Sequence, residues 1–524
     1  MKKIVYLFAI IFLVMIVIVN IVFTTYLDTS EQAIIQTNHL GYILGVLLVG
    51  ILIYFITHRV NQYLYKDKSS DINKKIRKKL FIVAFTMYII FNIIWVILIN
   101  PKVVGDSVHV CNLAQTFYGD NSQDFLQNPT YVGVSLKEYM QAYPHQITLA
   151  FVYSIFFRII HFDVMEILRV WNMIGNLAII VAIYKIGNQL SKKYKMNKVR
   201  LLLLILTFIS LPMLTTYIYG DIPSLALCLF SAYFMIRYTE TKKIIYPIIA
   251  SIFTMIAYMM RMNSLIFIIA TSMYLILNIW KEWSKEKWRD RMLQISIICI
   301  YLIITMFPAL LVKDYYFQKY DLDKDKIYPN NSYLLMAMEE GPRGNGWYNE
   351  NIAGPALKEP EKMKTEYTQK IKDRLIYFSE NWGYMLKFYT NKITSMWTEN
   401  TYAAVRNNTL ADNTMIDKFI NPLTLYQKAV LILICTCSII ILVQNRKNLS
   451  YELIFLATIF IGGFAFHILW EAKSRYIIPY IVVLIPMASI EIQKFQVMNS
   501  KMIKKIKNFS NSIILHFNKG RKQV

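Results

Sequence analysis

Unbroken apolar blocks recur along this chain, and they decide what it can fold into before any motif is considered. The first, residues 4–23, follows Met1-Lys2-Lys3 and matches the roughly 20 helical residues that cross a hydrocarbon core. No small-residue cleavage site follows it, so it is expected to remain as a signal anchor. Soluble proteins interrupt their apolar positions at the helical or strand period and carry roughly 25% charged residues. Here the blocks are continuous, 56% of 524 residues are hydrophobic and only 17% are charged, which is more apolar surface than a soluble core hides.

Spans are expected at residues 4–26, 39–57, 80–99, 167–188, 199–217, 222–238, 244–259, 264–281, 292–313, 427–443, 452–470 and 476–491. Backbone amides in lipid must be satisfied within their own segment, and nothing here alternates like a barrel strand. The expected fold class is therefore an all-α polytopic membrane protein of about 12 transmembrane helices.

Sidedness follows from Lys and Arg, because short loops rich in them stay in the cytoplasm. Lys74-Lys75-Ile76-Arg77-Lys78-Lys79, Lys192 to Lys198, Arg237 to Lys243, Lys281 to Arg291, Arg446-Lys447 and the Lys-rich tail all fall on one side. These topogenic charges account for most of the +24 net charge and remove the need for a nucleic-acid partner. Residues 146–161 are apolar, yet a crossing there would put the Lys192 loop outside. They are read instead as an interfacial or re-entrant helix on the outer surface.

The chain then divides into two N-terminal helices with a basic loop (1–79), a membrane core with an external loop at 100–145 (80–313), a small external domain (314–422), C-terminal helices (423–493) and a basic tail (494–524). Cys228, Cys299, Cys435 and Cys437 lie in spans and leave Cys111 as the one external thiol, so no external disulfide is expected. No CxxC, HExxH or Walker loop is present, and no GxGxxG precedes a suitable helix.

Polar groups at the outer membrane edge carry the functional information, since a charge there is costly and tends to be kept for a reason. Asp106 stands just past the third span; an acid there is a candidate general base, or a cap for the helix that follows. Asp221 sits alone in a tight turn before Pro223, where an N-cap is again the plain alternative. Arg261 and Asn263 mark another outer turn, and a snorkelling arginine explains the first as well as a ligand does. In Trp470-Glu471-Ala472-Lys473-Ser474-Arg475-Tyr476 two cations beside one anion leave a positive site suited to phosphate, although a local ion pair accounts for part of it.

Together these positions resemble the GT-C superfamily of membrane glycosyltransferases that use polyprenyl-phosphate sugars, over most of residues 80–490. That resemblance implies a catalytic acid in the first external loop, as Asp106 in Val104-Gly105-Asp106-Ser107. It implies a Pro-containing segment on the membrane (Tyr143-Pro144-His145-Gln146), an arginine opening the next span (Arg169) and a second acid in the following turn (Asp221). Arg261-Met262-Asn263 is similar to an RPN-type turn with Met in place of Pro. Met336 to Asn349, which includes Arg343, is similar to an external Met-Gly motif, and Glu471 to Tyr476 to a late Arg-Tyr turn. The chain departs from the pattern in its two additional helices before residue 80 and in lacking the paired Asp-Glu of protein O-mannosyltransferases, so transfer to protein is not favoured.

The chemistry implied is single inverting displacement, with Asp106 as base, Asp221 and His145 assisting. Arg261, Lys473, Arg475 and Arg343 would meet the leaving phosphate, and Glu471, Asn263, Tyr476 and Arg169 would support them. Some relatives hold a divalent metal between their acids, but no ligand cluster here demands a cofactor. The expected partners are a lipid-linked sugar donor, an envelope glycan acceptor and the bilayer, and the expected place is a bacterial plasma membrane with the active site outside. The rival readings are a secondary transporter and an export component. Against the former, carriers show two related halves and charges deep in their spans.

Overall fold

The computed structural model describes residues 2–65, 70–99, 105–119, 134–160, 164–283, 287–409 and 419–493. The basic tail, Pro101 to Val104, and residues 120–133 of the loop expected outside lie beyond the described residues. Almost everything described is helical, and the one sheet among the described residues is a two-stranded hairpin, Phe23–Leu27 paired antiparallel with Ala33–Thr37.

Ten helical segments among the described residues are long and apolar enough to cross a membrane, from Lys2–Val22 to Tyr451–Leu469. The chain is an all-α polytopic membrane protein. Helix Leu40–Tyr65 leaves Leu44, Leu48, Ile51, Leu52, Phe55 and Ile56 on its open face, a surface that suits lipid and not water. Helix Ile245–Met260 is a shorter apolar segment of 16 residues.

Two expected spans are discontinuous. The first breaks after Lys198–Leu206 and resumes as the short helix Ser210–Met213, which contains Pro212, and a single 3-10 turn. The second, expected at 476–491, is a 3-10 turn at Ser474–Ile477 and two short helices, Ile478–Val482 and Ile485–Ala488, each opened by a proline. Proline lacks the amide that would continue the ladder, and the irregular backbone is tolerated because the segment is buried in protein.

Helix Pro144–Ile160 does not lie free along a surface. Nine of its residues are buried. Thr148 donates to the Met259 carbonyl at 2.6 Å and Arg158 to that of Phe117 at 2.9 Å, while Ile155, Ile159 and Ile160 stay exposed. Cys111, expected outside, is likewise buried, in the core between this helix and Asp106–Gly119.

The molecule has two chemically distinct ends. At one, Lys2 donates to the Leu449 carbonyl (3.2 Å), Lys193 pairs with Glu452 (2.7 Å), Lys198 meets Asn61 (3.1 Å) and Asn197 meets the Ser489 carbonyl (2.7 Å). The basic loops thus gather at a single end, as their charge predicts. At the other end, helices Asn331–Met338, Glu350–Lys358, Pro360–Glu380 and Trp382–Trp397 pack over the loop ends of the core, around Met336, Ile352, Tyr367 and Phe388.

Candidate active site

Helix Asp106–Gly119 starts after Gly105, which adopts a left-handed φ of +60°. Asp106 is exposed in its first turn. The Tyr219 hydroxyl donates to Asp106 Oδ2 at 3.2 Å and itself accepts a short hydrogen bond from the Gln146 amide. The same amide meets His145 Nε2 at 3.2 Å. Burial, reinforced by Arg261 and Lys313, pushes the His145 imidazole down to about 3, so it stands neutral. His145 therefore reaches Asp106 only through Gln146 and Tyr219.

Asp221 opens helix Asp221–Thr241 without capping it, because Gly220 occupies the cap position at φ +81°. Its carboxylate pairs with Arg261 Nε at 3.2 Å. The Arg261 guanidinium lies 4.6 Å from the centre of the Tyr219 ring and 5.7 Å from that of Tyr476. Arg475 lies 4.6 Å from the Tyr217 ring and 5.4 Å from both Tyr219 and Tyr476, and its Nη1 donates to the Tyr217 hydroxyl at 2.6 Å. The two arginines therefore share the Tyr219 and Tyr476 rings, and Arg475 has Tyr217 besides. A guanidinium placed over aromatic rings is weakly hydrated and keeps donors free for an oxyanion.

Beside Arg475 is a group that the sequence reading did not single out. Glu31, in the turn of the N-terminal hairpin, is buried and lies 3.5 Å from Lys473 and 3.6 Å from Arg406, with Arg343 in closer contact still. Burial alone would raise its carboxyl, but Lys473, Arg406, Arg475 and Arg343 outweigh that and hold it down at about 2. Arg343 also pairs with Glu350 at 2.5 Å.

Glu471 is buried, which raises its carboxyl despite Lys473 nearby. Among the described residues no ion pair joins it to Lys473 or Arg475; the arginine is oriented by tyrosines and not by this glutamate. Asn263 occupies the cap position of helix Ser264–Glu282 without a side-chain cap bond, Arg169 pairs with Glu166 at 3.0 Å, and Tyr476 stacks on His467 at 5.6 Å. Among the described residues no group of three His, Cys, Asp or Glu side chains could hold a metal ion.

The arrangement thus brings Asp106, His145, Asp221, Arg261, Arg475 and Tyr476 around Tyr217 and Tyr219, and gathers Lys473 and Arg343 around Glu31. The two tyrosines were legible as an alternating pair ahead of Gly220-Asp221. Glu31 and Arg406 were not, since neither sits in a motif or at the edge of a core span.

Comparison with known proteins agrees with the membrane core. Residues 144–308 match the family described as dolichyl-phosphate-mannose-protein mannosyltransferase. No curated protein matches the chain. Among solved structures, it is similar at 12% identity to the archaeal oligosaccharyltransferase AglB from Archaeoglobus fulgidus in complex with an inhibitory peptide and a dolichol-phosphate. That likeness has a TM-score of 0.42 and covers 79% of this chain and 50% of the other. The apo form of the Archaeoglobus fulgidus oligosaccharyltransferase gives 0.41 at 12% identity, covering 78% and 50%. The chain spans about half the length of these enzymes. Over residues 144–308, within an all-α polytopic fold, this chain is similar to that mannosyltransferase family.

Proposed function

We propose that this protein transfers a sugar from a polyprenyl-phosphate donor to an extracytoplasmic acceptor, an envelope glycan, by single inverting displacement. The observation that carries the reading is one juxtaposition. An exposed carboxylate, Asp106, shares Tyr219 with two arginines, Arg261 and Arg475, each placed over tyrosine rings. The acceptor hydroxyl loses its proton to Asp106 as it attacks the anomeric carbon, and the sugar–phosphate bond breaks on the opposite face. The phosphate then gains negative charge, and the arginines meet it at the membrane edge, where fixed charge stabilises the transition state by several kcal/mol, an order-of-magnitude value.

Tyr219 sets the direction of the Asp106 carboxylate and Asp221 that of Arg261, so each reacting group has its own anchor. Residues 144–308 match a family named for a lipid-phosphate sugar, which supports this donor class. The basic loops at the opposite end support an orientation with this site outside the plasma membrane. Purified protein incubated with a panel of polyprenyl-phosphate sugars should release the lipid phosphate from one of them. Release that needs no acceptor and is unchanged in Arg475→Ala would refute the reading.

A further inference from the structure

Glu31 belongs to the two N-terminal helices that the superfamily resemblance does not account for, yet it is built into the charged end of the molecule. Its hairpin is fastened by hydrogen bonds from backbone and side-chain donors. Thr25 N–H donates to the Thr398 carbonyl (3.2 Å), Ala33 N–H to that of Arg343 (2.9 Å), and Arg406 Nη2 to that of Thr29 (3.1 Å). Lys428 reaches back to the Phe23 carbonyl at 2.6 Å, and Asn20 to that of Trp397 at 3.1 Å. These contacts hold Glu31 in a left-handed conformation, φ +69°, which a non-glycine residue adopts only when its surroundings impose it.

The carboxylate so placed faces Arg343, Arg406 and Lys473, one turn of chain from Arg475. Four cations this close repel one another, and without a counter-charge long side chains swing towards water. Glu31 and Glu350 together neutralise two of them. Two positive charges then remain, before Glu471 is counted. That surplus matches a lipid phosphate as it passes from a singly charged diester to a doubly charged monoester.

We infer that Glu31 is a positioning residue for the donor: it holds Lys473 and Arg406 in place beside Arg475, so that the N-terminal hairpin completes the site for a polyprenyl phosphate group. Glu31 touches no reacting atom; it acts through the cations. The inference rests on the donor reading above. It also makes the N-terminal helices part of the enzyme and not an appendage to it.

The test uses full-length protein in detergent with a short-chain polyprenyl monophosphate, carrying no sugar, as probe. Glu31→Gln should raise the Kd for this lipid on the order of 10-fold, the loss of one charge-assisted contact. The donor KM should rise in step, with the acceptor KM unmoved and kcat less affected. Glu31→Asp, which keeps the charge one methylene further back, should recover part of the affinity, and it serves the same comparison if Glu31→Gln yields too little folded protein. An unchanged Kd in both variants overturns the inference and leaves Glu31 a structural counter-charge. A lower Kd also overturns it, since the carboxylate would then compete with the phosphate. If the wild-type protein fails to bind the probe, the donor reading falls first and this inference with it. Binding by wild type with no change in the variants removes Glu31 alone.

Discussion

Arg475 and Lys473 stand two residues apart in one turn and do different work. Lys473 is drawn to Glu31 at 3.5 Å, whereas Arg475 is stacked on Tyr217 and held by its hydroxyl. Arg475→Lys keeps the charge but loses the planar fork and the stacking, and Arg475→Ala loses both. Turnover should therefore fall in the order wild type, lysine, alanine, with alanine down on the order of 100-fold, as for removal of one transition-state donor. Equal per-molecule kinetics in all three would remove this turn from the active site. Glu31 carries a stability prediction as well. Its carboxyl lies at about 2 in the folded chain against 4.5 for the free group, so the folded state favours the ionised form. The contribution is fully present above pH 4.5 and is lost as pH falls from there towards about 2. The shift is worth about 3 kcal/mol at neutral pH, an order-of-magnitude figure. Thermal unfolding in detergent should show an acid-dependent loss in the wild type that Glu31→Gln lacks, the variant being already destabilised at neutral pH. Parallel pH curves would contradict the assignment.

At the scale of elements, the turn from Glu471 to Arg475 is aimed by the segment that crosses over it. Ala472 N–H donates to the Gly346 carbonyl at 2.8 Å, and the Lys392 ammonium donates to the carbonyls of Ala337, Ile468 and Trp470 at 2.8 to 3.0 Å. Gly346 adopts φ +74°, and a Cβ there would come within 2.6 Å of the Lys392 side chain. Gly346→Ala should cost roughly 1–2 kcal/mol from the left-handed backbone alone. It should also raise the donor KM by loosening the turn, as read from unfolding and steady-state kinetics on the same preparation; a drop in stability with unaltered KM would disconnect the turn from donor binding. The resemblance of Met336 to Asn349 to an external motif was readable in the sequence, as was the late Arg-Tyr turn. That the two pair through Gly346 and Ala472 was not, because a contact across more than a hundred residues leaves no periodicity. The broken helix 474–490 was hidden for a related reason: hydropathy registers its apolar residues but not the prolines' effect on the ladder.

For the whole molecule, segregation of charge was the most legible property. Continuous apolar blocks imply helices, and the basic loops share an end, as expected. The helix at 144–160 was harder to place, since length and charge alone do not distinguish a surface helix from one wedged into the bundle. Asp106 was readable because an acid beside a span is rare. Glu31 was not, because its partners come from three distant segments. Orientation is tested by impermeant thiol labelling of intact cells, in a background without the five native cysteines. Gln369→Cys, exposed at the site end, should label, and Lys195→Cys, exposed at the basic end, should not; the opposite pattern would invert the topology. The most direct test of the central claim compares wild type with Asp106→Asn for release of polyprenyl phosphate in the presence of acceptor. The substitution keeps the shape of the side chain and removes its basicity. Loss of at least 100-fold in turnover, with folding and polyprenyl phosphate binding retained, is the predicted result for a general base. Full turnover by Asp106→Asn would contradict the account.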